Sequence, residues 1–468
     1  MTRDNLDFLL RVKLIQQTPY IHFQHNQDGA ILRATEVKPK LDEFIRKKMG
    51  GDVPEDWLIK TDGSTKALNY KMRFYTTGTP ERSKAAEHEI QAYNAGQRSN
   101  YTGINGMYFG NMVDKKKKGP NGRPVNKTPA EYEADVLANF KETVFYKEPI
   151  KMTILCMIPE LKNKIAEVLD EFFLLHNFGC RQTKGFGGFV TENLRVNSCV
   201  RKYERMGCLF FHTDTTNTQT SNYKALLNHA MTLYAILKGG LNLTLWKNNT
   251  ETYAHPGCYI KGYIQRPFLD EWYGERDYMG SDKAFMKQHI PVRNTAKCRN
   301  MRERKGEDYR YPRNHPNDDN YRYIRALLGL ADHYEFHDLR EQTVYVYHLE
   351  AEGEKEIQRF PSPITIKIIG SRIFFLFDVE AVQAIVNKTF CFCTKKLPAG
   401  CTEQERRQHL LSGWKIKTPE RFDAEDARFM MEDFVDYFNN YAGFDLEEFG
   451  EPYIRSCTLE LEMGGTQQ

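Results

Sequence analysis

The strongest constraint in this sequence is an order of elements. Leu10, Val12 and Leu14 alternate with Arg11 and Lys13, and a period of two describes a strand with one face buried. Thr18-Pro19 ends it, and a polar loop, YIHFQHNQDGA, follows. Val37, Leu41, Phe44 and Ile45 then recur at helical spacing, which predicts a helix with Pro39 confined to its first turn. Asn69–Thr76 alternates again through Tyr70, Met72 and Phe74. Ile150, Met152, Ile154, Cys156 and Ile158 repeat the strand pattern. Pro159 opens a second helix, with Leu161, Ile165, Val168, Leu169, Phe172 and Leu175 on its apolar face. That helix stops at Asn177-Phe178-Gly179, and the run CRQTKGFGGFV leads into a further strand. The order β-α-β, excursion, β-α-β is that of a ferredoxin-like, split βαβ (RRM-like) domain, an antiparallel sheet with two helices on one face.

The second half follows the same grammar. Cys208–His212 is a short strand. Tyr223–Leu237 is a helix with Leu226, Leu227, Ala230, Tyr234 and Leu237 on one face, capped by Gly239-Gly240. Tyr259–Gln265 reads as a strand, a polar insertion runs to about Asn320, and Tyr321–Leu330 reads as helical. Strands Thr343–Leu349, Ile364–Ile369 and Arg372–Phe377 follow, the last two joined as a hairpin at Gly370-Ser371. The expected fold class is therefore α+β: two ferredoxin-like domains in tandem, with large insertions and a helical C-terminal extension. The expected domains are residues 1–200 (excursion 77–148), 201–400 (insertion 264–320) and an acidic helical extension over 401–468. A chain of 468 residues has room for about three core-sized units.

Charge is unevenly distributed. Lys and Arg number 66 and Asp and Glu 62, a formal net charge of only +4. Between Pro419 and Glu451, however, eleven acidic residues face two arginines, a net of −9, so the remainder carries +13. Phe429, Met430, Phe434, Tyr437 and Phe438 in that acidic stretch predict a packed amphipathic helix. Two basic stretches stand out. One holds Lys115, Lys116, Lys117, Lys118, Arg123 and Lys127 in a Gly- and Pro-rich segment expected to be a loop. The other, Arg293–Arg325, holds ten Lys/Arg against five Asp/Glu, interleaved with Tyr309, Tyr311, Tyr321 and Tyr323. Guanidinium groups hold phosphates and rings stack on bases, so Arg299, Arg302 and Arg304 are candidate nucleic-acid contacts. Each stretch alone equally fits a solvated insertion.

Several classes are excluded or unsupported. No run of eighteen apolar residues exists, so no membrane span is expected. The opening MTRDNLDFLL has no apolar core or cleavage site of an export signal, which points to a cytoplasmic protein with reduced thiols. Ten cysteines are scattered, and Cys391-Phe-Cys393, the one close pair, has no partner pair to complete a metal site. No metal, cofactor or small-molecule substrate is expected.

The run from Arg181 to Gly188 has two readings. Glycines let backbone N–H groups approach a phosphate, with Arg181 and Lys184 supplying charge. They equally serve a plain turn. The run is neither a Walker loop nor a dinucleotide fingerprint, since no Gly-Lys-Ser/Thr follows and no helix opens on it.

Together, ILRATEVKPKLDEFI, HNFGCRQTKGFGGFV, YIRALLGLADHYEF and RFPSPITIKII resemble the RAMP superfamily of CRISPR-associated RNA-binding proteins. The two-domain layout is most similar to the first subunit of type III-B (Cmr) effector complexes. The resemblance implies a non-catalytic, RNA-binding structural subunit in antiviral defence. Its partners would be the crRNA, near its 3′ end, the target RNA, and the other subunits of a Cmr-type complex. Carried onto this chain, it makes Arg181, Lys184, Gly185, Gly187 and Gly188 the RNA-facing loop, with Arg33, Lys38 and Lys40 flanking the first-helix motif. The family's usual Gly-Ser wording at that motif is replaced here by Ala-Thr-Glu-Val-Lys-Pro.

Two other classes stay open on the residues. RAMP relatives that process CRISPR transcripts use a histidine to activate a 2′-hydroxyl, and His22 or His25, in the loop after the first strand, would serve a metal-independent endoribonuclease. The glycine run lies too early in a chain of this length to match those enzymes. A protein-only scaffold, its basic faces meeting acidic partners, is the third class.

Overall fold

The computed structural model describes residues 8–21, 31–59, 67–96, 113–121, 123–215, 223–242, 244–247, 250–253, 259–260, 263–265, 280–290, 321–336, 342–349, 356–357, 359–398, 400–442 and 460–464. The chain is mixed α and β, with several antiparallel sheets. The first is built from β1 (Leu9–Gln16), α1 (Ala34–Lys48), β2 (Lys71–Tyr75), β3 (Ile150–Leu155), α2 (Pro159–Leu175) and β4 (Phe189–Thr191). Its strands run in the order β2-β3-β1-β4, antiparallel throughout. Alternation decides the faces. Leu14, Met72, Met152 and Ile154 are buried under α1 and α2 with Val37, Leu41, Ile45, Ile165 and Phe172, while the odd-numbered residues of β1 and β3 point the other way. Pro39 sits inside α1, beyond its first turn. Its missing N–H leaves the Thr35 carbonyl without a helical partner, and Thr35 is exposed to solvent.

The second half builds a sheet of the same order. β5 (Leu209–Asp214), α3 (Tyr223–Lys238), β6 (Ile364–Ile369), β7 (Arg372–Phe377), α4 (Ala424–Tyr437) and β8 (Glu462–Gly464) give strand order β6-β7-β5-β8, again antiparallel. The hairpin turns at Gly370-Ser371 as expected. The acidic segment is integral to this layer. Phe434, Met430 and Met431 of α4 join Phe211 and Phe375 in one core, and β8 pairs with β5. Asp423 caps α4, accepting from the N–H groups of Glu425 and Asp426 at 2.9 and 3.0 Å.

Between α3 and β8 the chain also forms a six-stranded sheet, in spatial order Gly280–Ser281, Tyr321–Arg322, Trp414–Lys417, Thr389–Cys393, Gln342–Leu349, His333–Phe336. The segment expected as a helix over Tyr321–Leu330 is instead a two-residue strand and a 3-10 turn, Ile324–Leu328. Gly329 at φ 109° stops it. Tyr259–Gln265 is likewise divided into a short strand, Tyr259–Ile260, and a turn, Tyr263–Gln265. The Lys115–Lys127 excursion is no simple loop: Lys116–Lys118 pairs with Pro124–Asn126 as a hairpin beside helices Ala85–Asn94 and Pro129–Asn139. Lys117 pairs with Glu131 there, and Lys127 with Asp135 at 2.6 Å.

Candidate nucleic-acid interface

The glycine run forms the joint between the two four-stranded sheets. Gly185, Phe186, Gly187 and Gly188 are buried. Gly187 adopts φ 68°, and a Cβ on it would lie 1.8 Å from the Phe178 carbonyl oxygen. Its N–H donates to the Pro19 carbonyl at 2.8 Å, and the N–H of Phe178 donates to the Gly187 carbonyl at 3.0 Å. The Gly188 N–H donates to Thr18 Oγ1 at 2.9 Å. These amides therefore face protein acceptors, which corrects the expectation of an open phosphate cradle. Glycine is needed here for close backbone approach.

The other side of the run meets the second sheet. Lys184 bridges to Ile366 of β6 in a parallel sense, and the Ile366 N–H donates to the Thr183 carbonyl at 3.1 Å. Asn177 Nδ2 donates to the Ile366 carbonyl at 2.9 Å. Lys367, fully buried, sends its Nζ to the carbonyls of Phe173, His176 and Phe189 at 2.6, 2.8 and 3.4 Å, at the C-terminal end of α2 where a cation suits the helix dipole. Burial pushes its pKa down to about 7.

The cations named from sequence fall into two groups. Lys38, Lys40 and Lys184 tie the structure together. Lys38 Nζ donates to Asp42 at 2.7 Å and to the Leu68 carbonyl at 2.8 Å. Lys40 Nζ donates to the Asn177 carbonyl at 3.2 Å and to Gln182 Oε1 at 2.5 Å, over the Phe178 ring; burial lowers its pKa. Lys184 Nζ sits 3.1 Å from the Tyr234 ring centroid. Its pKa falls to about 6 through burial first, then the nearby charges of Lys238 and Arg181. Its Nζ is thus engaged at the joint, over a ring of the second half. Arg33, at the N-terminus of α1, and Arg181, at φ 57°, are half-exposed at the rim of the joint. Between them Glu36 accepts from Tyr20 Oη at 2.6 Å and from the Gly179 N–H. Arg299, Arg302 and Arg304, and the alternative catalytic His22 and His25, lie outside the described residues. Tyr321 and Tyr323, read as possible stacking rings, are buried in the core, so they are not available to bases.

Sequence reasoning missed the outer face of the first sheet. Register aligns Lys71, Leu155 and Leu9 in one row across β2, β3 and β1, Arg73, Thr153 and Arg11 in the next, and Tyr75, Lys151 and Lys13 in the third. All five cations and Tyr75 are exposed. Lys151 Nζ lies 5.2 Å from the Tyr75 ring centroid. Lys13 also reaches Glu192 Oε2 at 2.9 Å, at the rim. The signal was present in the alternation of Arg11 with Lys13 and of Lys71, Arg73 and Tyr75, but only the pairing register joins the two runs. At the end of β2 an open groove of about 710 Å³ begins, lined among others by Tyr75, Ile31, Thr76, Gly78, Arg82 and Tyr146.

Among the described residues no group of three or more His, Cys, Asp or Glu is arranged to hold a metal ion, and no helix is long and apolar enough to cross a membrane. Two family models match the chain: the Cmr1 N-terminal domain over residues 8–241 and the Cmr1 C-terminal domain over residues 264–451. No curated protein matches it. Among solved structures, a crystal structure of Cmr1 from Pyrococcus furiosus in its apo form is similar, at 9% sequence identity, covering 91% of this chain and 97% of that one with a TM-score of 0.30.

Proposed function

Because this chain belongs to the Cmr1 family, and so is a subunit of a Cmr-type complex, we propose that it acts there as a structural RNA-binding subunit. Its RNA partners are the crRNA, near its 3′ end, and the target RNA, in antiviral defence. The subunit assignment is carried by one observation, the match of both domain models along almost the whole described chain. We read each four-stranded sheet, with its shared strand order, as a ferredoxin-like unit.

The RNA reading is supported by charge. Outside the acidic stretch the chain carries +13. Arg33, at the N-terminus of α1, and Arg181, in the glycine run, are half-exposed, and we read their guanidinium groups as the phosphate-facing members of the first-motif and glycine-loop cluster. In this reading the chain contributes no catalytic residues, and chemistry belongs to other subunits.

The test is purification of the tagged full chain from its native cell under low salt. Co-purification of other Cmr-type subunits and a short guide RNA, with ultraviolet crosslinks from this chain to the 3′ portion of the guide or to bound target, supports the reading. Recovery of the chain in the complex with no RNA crosslink at any salt overturns its RNA component and leaves a protein scaffold. Arg33→Glu with Arg181→Glu is expected to weaken the crosslink.

A further inference from the structure

Strand registers place five cations on one flat, exposed surface. Arg11, Lys13, Lys71, Arg73 and Lys151 occupy the three rows across β1, β2 and β3, with Tyr75 in the third row; one carboxylate, Glu192, borders them beyond Lys13 and pairs with it at 2.9 Å. Lys13 lies directly opposite Lys151. Like charges facing across an antiparallel pair destabilise a sheet, and a surface serving only solubility intersperses both signs. The helices α1 and α2 cover the other face, so nothing in the core requires these five positions to be basic. A local rule broken without structural gain marks a functional surface.

The chemistry selects the occupant. The rows lie about 7 Å apart along the strands and the strands about 5 Å apart, a patch the size of a short run of nucleotides. A basic sheet face with an exposed ring holds phosphates by charge and bases by stacking, and a sheet of four strands seats two or three bases in this way. Tyr75 closes the third row and also lines the 710 Å³ groove at the end of β2, beside Tyr146 and Arg82. A strand leaving the cationic rows therefore runs over an aromatic ring into a cavity large enough for a base.

We propose that the outer face of the first sheet is a platform for single-stranded RNA, its backbone on Arg11, Arg73, Lys13 and Lys151 and one base stacked on Tyr75 at the mouth of the groove. This rests on the RNA-binding reading above but names a surface distinct from the Arg33–Arg181 rim.

The experiment measures binding of the full chain to a fluorescein-labelled oligouridylate by anisotropy, between about 50 and 200 mM salt. Arg11→Glu/Arg73→Glu/Lys151→Glu is expected to lower affinity at least about 100-fold at low salt and to reduce the slope of log K against log salt by about 2, at roughly 0.7 for each phosphate no longer neutralised. Tyr75→Ala is expected to weaken binding roughly 5- to 100-fold with the slope unchanged, the mark of a lost stack. Lys116→Glu/Lys118→Glu, on the exposed hairpin, is the control and should change affinity less than about threefold. All of these side chains are exposed, and an unaltered denaturation midpoint certifies each variant. Wild-type binding by the triple variant overturns the proposal, and if Arg33→Glu/Arg181→Glu then abolishes binding, the RNA reading stands without it. Absence of oligouridylate binding by the wild-type chain overturns the proposal, and the crosslinks of the purified complex then decide the RNA reading separately. Equal displacement of the RNA by polyglutamate, together with no effect of Tyr75→Ala, identifies an acidic protein as the occupant and also overturns the proposal.

Discussion

Two glycines with the same backbone angle isolate what the glycine run does. Gly187 and Gly207 both stand at φ 68°. A Cβ on Gly207 meets nothing within 4 Å, whereas one on Gly187 would lie 1.8 Å from the Phe178 oxygen, 2.8 Å from its carbonyl carbon and 3.1 Å from its nitrogen. Gly207→Ala therefore carries only the left-handed backbone cost, about 1 kcal/mol. Gly187→Ala carries the same cost and must also push its own backbone and that of Phe178 apart by more than an ångström. The hydrogen bonds from Gly187 to Pro19 and from Phe178 to Gly187 then break, in a site without solvent. Each buried group left unsatisfied costs about 1–3 kcal/mol. Gly187→Ala should accordingly destabilise the chain by about 3 kcal/mol more than Gly207→Ala, read as a shift in denaturant midpoint at constant m-value. A difference below about 1 kcal/mol refutes the joint. So does a Gly187→Ala chain of unchanged midpoint that no longer binds RNA, which would restore the loop as a ligand surface.

Three further outcomes are expected. Arg325, buried, donates through Nε to Asp282 Oδ2 at 2.9 Å and also through Nη2, with its guanidinium over Tyr334. Arg325→Met should cost about 3–5 kcal/mol by stranding the fully buried Asp282, and Arg325→Met/Asp282→Leu should recover most of it in the same denaturation assay. His229 is fully buried with neither ring nitrogen hydrogen-bonded, and burial takes its pKa down to about 4. Its folded pKa lies below the unfolded value of about 6.5, so the unfolded chain binds more protons. Stability is full above about pH 6.5 and falls towards pH 4 by up to about 1.4 kcal/mol per unit from this residue. His229→Leu should flatten that slope, and an identical slope in the variant removes His229 as its source. Incubation of the full chain with repeat RNA in EDTA should give no product on a sequencing gel, and cleavage that His22→Ala or His25→Ala abolishes would establish the endoribonuclease alternative.

Much of the scaffold was legible because periodicity is local. The alternation of Leu10, Val12 and Leu14 and the apolar stripe from Leu161 to Phe172 name β1 and α2 without knowledge of their partners. The joint was not legible, because glycine spacing reports only that backbone must pass close to something. A phosphate and the Phe178 carbonyl make the same demand, and Ile366, which receives the run on its other side, lies far along the chain. Arg325 illustrates the same limit: its motif was recognisable, but its partner Asp282 is distant in sequence and nothing local announces a buried ion pair. Tyr321 and Tyr323 interleave with arginines as stacking rings would, yet the six-stranded sheet turns both into its core. In α4 the stripe of Met430 and Phe434 showed through the acidity as a packed helix, but its place against the second sheet was not legible, because Phe211 and Phe375 are distant in sequence.

Burial divides the basic residues into two populations with opposite consequences. Lys367 gives up hydration to donate to three carbonyls, and Lys184 lies over a ring, so both are engaged in the joint. They tie the first sheet's α2 and glycine run to the second half. Arg11, Lys71, Arg73 and Lys151 stay exposed to water, spaced by the strands that carry them. Their spacing is only as rigid as the sheet, and β1 is anchored through Gln17, whose Oε1 accepts from the Gly370 N–H of the second sheet at 2.9 Å. A lesion in the joint should therefore reach the basic face through β1, and weaken RNA binding only where it shifts that strand. A lesion on the face should leave the joint intact.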